Sequence, residues 1–252
     1  MTTTSPELPN IVGILAEAFK GSAFSHFLHL WEYLIFSLLI VIILSLLAYF
    51  ATRKSALIPK NRLQAAVELI VGGLDDFVCG IMGPEGRRFT PFVGTLFIYI
   101  LFLNLFGLVP FMKSSTSSLS TTFALALCVF FYVQYTAIRE LGFLGYLDHL
   151  LGRPRGILAY SVFVPLMMFF LHVMSDFFVR PASLSLRLRN NIWGDDMLLA
   201  VLAKFGLTGV PLIVFSIPLV ILASIVQAIV FSLLSTIYLA LVIPHEEEVE
   251  RV

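Results

Sequence analysis

The sequence predicts an all-α polytopic membrane protein with about five membrane-embedded helices, an amphipathic surface helix and two long inclined C-terminal helices. Composition is the first observation behind this: of 252 residues, 59% are hydrophobic and 13% charged, where a soluble domain carries roughly 25% charged residues. Mean hydropathy is +0.96. Secondly, the apolar residues gather into runs long enough to cross about 30 Å of hydrocarbon at 1.5 Å per residue. Thirdly, basic residues sit at the ends of these runs, where the positive-inside rule can read them. Too little polar surface remains to cover a water-soluble core, which excludes a soluble enzyme, and a chain this apolar is not disordered. With 16 Lys+Arg against 16 Asp+Glu, it lacks the basic excess of a nucleic-acid binder.

The whole chain, 1–252, reads as one membrane domain. Residues 1–29 form an N-terminal segment without a basic n-region or a long apolar stretch, so no cleavable signal peptide is expected. Residues 30–50 are apolar apart from Glu32 and form the first span. Arg53, Lys54, Lys60 and Arg62 follow directly, which places the N-terminus outside and residues 51–90 in the cytoplasm. Residues 62–82 carry Glu68, Asp75 and Asp76 among apolar residues at helical spacing, the pattern of an amphipathic helix lying on the membrane surface. Residues 91–138 form a helical hairpin: one span from Pro91 to Phe111, a polar turn from Lys113 to Ser118 outside, and a return span from Leu119 to Ile138 towards Arg139, Arg153 and Arg155.

Residues 157–243 form the last hairpin. Ile157–Ser175 is apolar, and helical spacing continues through a charged section to Lys204; the apolar run Pro211–Ile243 then covers 33 residues, or about 50 Å of helix. A helix of that length must be strongly inclined, kinked at Pro218, or project from the bilayer. Residues 244–252 are an acidic cytoplasmic tail. Cys79 and Cys128 have no disulfide or zinc pattern and read as buried small hydrophobes. His26, His29 and Glu32 share a helical face, but two imidazoles at the mouth of a span read as interfacial rather than as a zinc site, so no metal is expected.

The charged section decides what the hairpin is for. As a loop it would put Arg180, Arg187, Arg189 and Lys204 outside, against the positive-inside rule. As a helix it gathers Asp176, Arg180, Ser183, Arg187, Asn190, Asn191 and Gly194 on one face, opposite Leu184, Leu188, Ile192, Leu198 and Leu199. A charge at bilayer depth costs from about 3 to more than 10 kcal/mol unless it meets a partner or water. Asp176 and Arg180 can neutralise each other at i, i+4. Arg187 has no such neighbour: Asp195 and Asp196 lie about 12 Å or more along the axis, and the other spans hold almost no acids. Its counter-charge is therefore expected from another subunit, and an arginine stays protonated for that role.

Arg180-Pro181-Ala182-Ser183-Leu184-Ser185-Leu186-Arg187-Leu188-Arg189-Asn190-Asn191 closely resembles the (K/R)P-x-SL-x-LRL signature, followed by Asn, of subunit a of F-type ATP synthases. Thr95–Phe97 with Asn104–Pro110, Thr116–Leu127 and Ile225–Phe231 resemble the same family in the same order. The resemblance covers roughly residues 28–248. It implies a non-catalytic stator subunit that forms two half-channels against the c-ring and couples ion flow to ring rotation and ATP synthesis. Arg187 matches the family's essential arginine. Gln227 matches the polar residue of the last helix that faces it, and Asn191 and Asn104 match family asparagines. Asp196, with Asp195 beside it, falls where many members carry a half-channel Glu or His, and Ser183 lies one turn before the arginine. The resemblance further implies the c-ring, stator b subunits and lipid as partners, no cofactor, and a bacterial plasma membrane. Arg189 and Asn190 depart from the pattern, standing where the family usually has an aromatic residue and Gly or Ala.

A secondary ion-coupled transporter with a buried Arg is the rival reading, but the sequence shows neither paired broken helices nor an internal repeat. An intramembrane hydrolase would need motifs such as HExxH or GxSxG, and a nucleotide site GxxxxGK[ST]; none occurs.

Overall fold

A computed structural model describes residues 11–18, 23–53, 62–109, 112–151 and 163–243. The tail 244–252 and the basic residues Lys20, Lys54, Lys60, Arg153 and Arg155 lie outside the described residues, as do the side chains of His26 and His29. The chain is an all-α polytopic membrane protein with five helical segments long and apolar enough to cross a membrane.

Helix α1 (Ile11–Ala18) packs on α2 (Ala23–Thr52), the first spanning helix. Helix α3 (Arg62–Met82) has the bounds expected of the amphipathic helix. A 3₁₀ turn, Pro84–Phe89, leads into α4 (Thr90–Phe106), and a second one, Ser115–Ser117, into α5 (Leu119–Leu150). Helix α6 (Phe163–Val173) runs through one π-helical segment, Met174–Val179, into α7 (Arg180–Lys204). A 3₁₀ turn at Gly206–Gly209 reverses the chain into α8 (Val210–Ala240). Gly206 has φ +58, and a Cβ at Gly209 would collide with the Leu202 carbonyl oxygen, so this tight return depends on both glycines.

The structure changes the hairpin bounds. The span expected to run from Pro91 to Phe111 ends at Phe106, because Gly107 to Val109 form a turn. The return helix continues past Ile138 to Leu150 with a bend at Gly142, whose φ is 70. Nothing breaks the helix before that glycine, and Glu140 is neutralised by Arg88 at 2.7 Å. The polar turn is no solvated tip: Ser114, Ser115, Thr116 and Ser117 are buried. The cysteines also depart from expectation, since Cys79, on the amphipathic α3, is half-buried and Cys128, on the spanning α5, is exposed. Helix α8 stays helical through Pro218.

The core lies among α3, α4, α5, α7 and α8, with Val93, Ile100, Val129, Leu188, Ala228 and Phe231 essentially inaccessible. In a membrane, lipid is as apolar as leucine, so packing and polar contacts hold helices together rather than water exclusion. Helix α8 shows how. Its buried row contains Ser216, Ser224, Ala228, Ser232, Ser235 and Thr236, small residues that let α4 and α7 approach closely. Ser235 and Thr236 donate to the carbonyls of Phe231 (2.9 Å) and Ser232 (2.8 Å), which satisfies their hydroxyls within the helix. The outer faces are the reverse: Phe163 is 72% and Phe215 71% exposed, and α6 buries no residue. Exposed apolar area on this scale requires a lipid or protein cover.

Helix α3 is fixed by ions. Arg87 Nε and Nη2 donate to Asp75 Oδ2 at 3.0 and 2.8 Å, and Thr90 Oγ1 donates to Asp75 Oδ1 at 2.8 Å. These donors, Arg87 first, hold the Asp75 carboxyl below the usual carboxylate range.

Candidate functional site

Arg187 lies about a third of the way along α7, on the exposed side of the α7–α8 hairpin. Ser183, Asn190, Asn191 and Gly194 are exposed with it, while Leu184, Leu188, Ile192 and Leu199 are buried on the opposite side. Leu198, expected among the buried positions, is instead 46% exposed. Beyond this polar stripe the two helices expose large apolar side chains, Leu186 and Trp193 on α7 and Ile225, Val226 and Ile229 on α8. Among the described residues, Arg187 has neither a hydrogen bond nor an ion pair.

Gln227 reaches this site through Asn191. Asn191 Nδ2 donates to Gln227 Oε1 at 2.6 Å, one turn along α7 from Arg187. Gln227 is 2% exposed, and its Nε2 has no hydrogen-bond acceptor. Ser224, one turn back on α8, is fully buried and also unpartnered, as is Asp195 Oδ2 on α7. Buried polar atoms are normally satisfied by protein or ordered water; these three remain as an unsatisfied polar seam along α7 and α8. Asp195 and Asp196 are both half-buried.

Asn104 belongs to a different cluster. Thr116 Oγ1 donates to its Oδ1 at 2.8 Å, the Ser114 and Thr116 hydroxyls are 2.7 Å apart, and its Nδ2 is buried without a partner. Ser115 Oγ donates to the Tyr33 carbonyl at 2.8 Å, and Lys113 lies 3.4 Å from Glu32. The turn thus docks α2 onto the hairpin. Thr122 and Ser185 hydroxyls, 3.2 Å apart, connect it with α7.

On the other side of Arg187, Asp176 is 3.1 Å from Arg180, and the Arg180 guanidinium lies 5.0 Å from the Tyr238 ring centroid on α8. The pair borders a cavity of about 180 Å3 that also meets Gln134, Tyr146 and His172. The i, i+4 pairing was readable in the sequence; the tyrosine and the cavity were not, because both are contributed by distant helices. The π-helical segment has a local cause: Pro181 has no N–H to give, and the Arg180 N–H bonds back to Ser175. Arg189 is half-buried with its Nε unpartnered.

The profile of the family described as "ATP synthase A chain" matches residues 34–240. The chain belongs to the ATP synthase A chain family. A protein named "ATP synthase subunit a" from Protochlamydia amoebophila is 41% identical over 252 residues, 96% of this chain and 92% of the relative. The protein of the same name from Solidesulfovibrio magneticus is 39% identical over 202 residues, 79% of each chain. That of Campylobacter hominis is 35% identical over 234 residues, covering 91% of this chain and 96% of the relative. The A chain profile takes in all of α4, α5, α7 and α8, and with them the arginine face and the polar seam.

Proposed function

We propose that this chain is the stator subunit a of an F-type ATP synthase, a non-catalytic component that passes protons between two half-channels and a ring of c subunits. The observation that carries the reading is Arg187, a permanent cation on an exposed helix face, with no ion-pair or hydrogen-bond partner among the described residues of its own chain. Its counter-charge is the ring carboxylate. As that acid arrives, the guanidinium favours the ionised form and drives its proton into a half-channel; the fixed charge also blocks direct leakage between the two.

One half-channel follows the seam of Ser224, Gln227, Asn191 and Asp195, with Asp196 and Asn104 towards the outer end; Ser183 borders the arginine on the inner side. Unpaired buried polar atoms there are sites for water, and a water chain carries protons where the amides and hydroxyls cannot. Each charge crossing gains about 2.3 kcal/mol per 100 mV of membrane potential, which the ring converts into rotation. The N-terminus lies outside and the C-terminus in the cytoplasm of a bacterial plasma membrane, with stator b subunits and lipid covering the apolar faces. A secondary transporter would enclose its arginine around a central site; Arg187 is on an outer face instead.

Arg187→Ala in the assembled complex tests this. ATP-driven proton pumping into membrane vesicles is abolished while the detached catalytic head still hydrolyses ATP. Arg187→Lys keeps the charge, loses the planar fork, and fails too. Coupled pumping by Arg187→Ala would refute the role.

A further inference from the structure

Arg180 and Arg187 are seven residues apart, and two turns of helix bring them back to the same side, about 10 Å apart along α7. A ring carboxylate passing this face would meet two cations of equal charge. Only one is presented. Among the described residues Arg187 is exposed and unpaired, whereas Arg180 is pulled towards Asp176 at 3.1 Å and onto the ring of Tyr238, leaving 27% of its side chain exposed.

We infer that Asp176 is a positioning residue: it sequesters Arg180, so the face offers the ring acid a single trap at Arg187. This rests on the stator reading proposed above. Asp176 itself is 8% exposed, and the other ionisable groups lining the cavity, among the described residues, are Tyr146, His172 and Tyr238. None of these is a carboxylate, so no other acid lining the cavity holds Arg180 once Asp176 is replaced by a neutral residue. The cavity of about 180 Å3 beside the pair gives the released side chain room to swing. A freed cation two turns from Arg187 then attracts the ring acid out of register, as like-sized charges at that spacing interact appreciably within a protein.

The test is ATP-driven proton pumping by vesicles carrying the complete complex, with subunit content measured in parallel. Asp176→Asn slows pumping about tenfold (~1.4 kcal/mol). Adding Arg180→Gln removes the competing cation and restores the rate to within about twofold of the unmodified complex, while Asp176→Glu, which keeps the charge, retains most of it. If Asp176→Asn fails to assemble, the other two variants decide: pumping by both supports the inference, and failure of either overturns it. An unaltered rate in Asp176→Asn would also overturn it. A double variant as slow as Asp176→Asn would show that Asp176 acts for itself, as a proton-exchanging acid, and not through Arg180. Arg187→Ala is run alongside: if it pumps, the stator reading fails, whereas its loss beside a normal Asp176→Asn removes only the sequestering role.

Discussion

The side chains nearest Arg187 are arranged to leave it free. Asn191, one turn away, is engaged by Gln227 at 2.6 Å, and Asp195 is about two turns farther along α7, out of reach. An amide pair between helices in a membrane is worth little more than 0.6 kcal/mol on average. Asn191→Leu and Gln227→Leu should therefore each destabilise the chain by about 1 kcal/mol, with the double variant losing less than the sum by about 0.6 kcal/mol. Unfolding in detergent, run as a double-mutant cycle, measures this; strict additivity would mean the pair is not coupled. The sequence disclosed both residues but not their bond, since spacing cannot say which face of α8 meets which face of α7.

Among the elements, α3 is attached through a carboxylate whose hold depends on pH. Arg87 and Thr90 hold the Asp75 carboxyl below its ordinary value, so the folded state binds its proton less readily than the unfolded chain does. The contribution is complete above the unfolded value of about 3.9 and is lost as pH falls from there through the lowered folded value. Hydrogen exchange of the α3 amides should speed up selectively across that acid window, and Asp75→Asn should remove the dependence. A profile with the same acid step in both would place the titrating group elsewhere. The π-helical segment is a second elemental feature. Pro181 was visible in the sequence, but whether a proline bends, breaks or widens a helix depends on what packs around it.

For the molecule as a whole, the spans and the arginine were legible because both follow from one-dimensional rules. Runs of apolar residues have a length set by the bilayer, and a charge without a partner at helical spacing stands out against them. The α3 bounds were legible for the same reason, as amphipathic spacing begins at Arg62 and stops before Gly83 and Pro84. What was not legible comes from chain segments meeting at a distance: Lys113 on Glu32, Tyr238 on Arg180, and the burial of Ser114 to Ser117 in a turn that composition alone would leave in water. The hairpin ends shifted because the chain turns from Gly107 to Val109, where Gly107 lies against Ser114, and bends at Gly142.

The central claim is that the acid for Arg187 comes from a neighbouring subunit, and proximity tests it directly. Ser183 is exposed one turn before Arg187 on the same face, so Ser183→Cys, with Cys79 and Cys128 replaced, places one thiol there. A second thiol goes on the ring helix, one turn from its carboxylate. Disulfide formation needs Cα atoms within about 7 Å. The account predicts rapid oxidative cross-linking of the two chains in membranes and the arrest of proton pumping until the bond is reduced. A thiol at 183 that is reactive towards small reagents yet never cross-links to any ring position would contradict it.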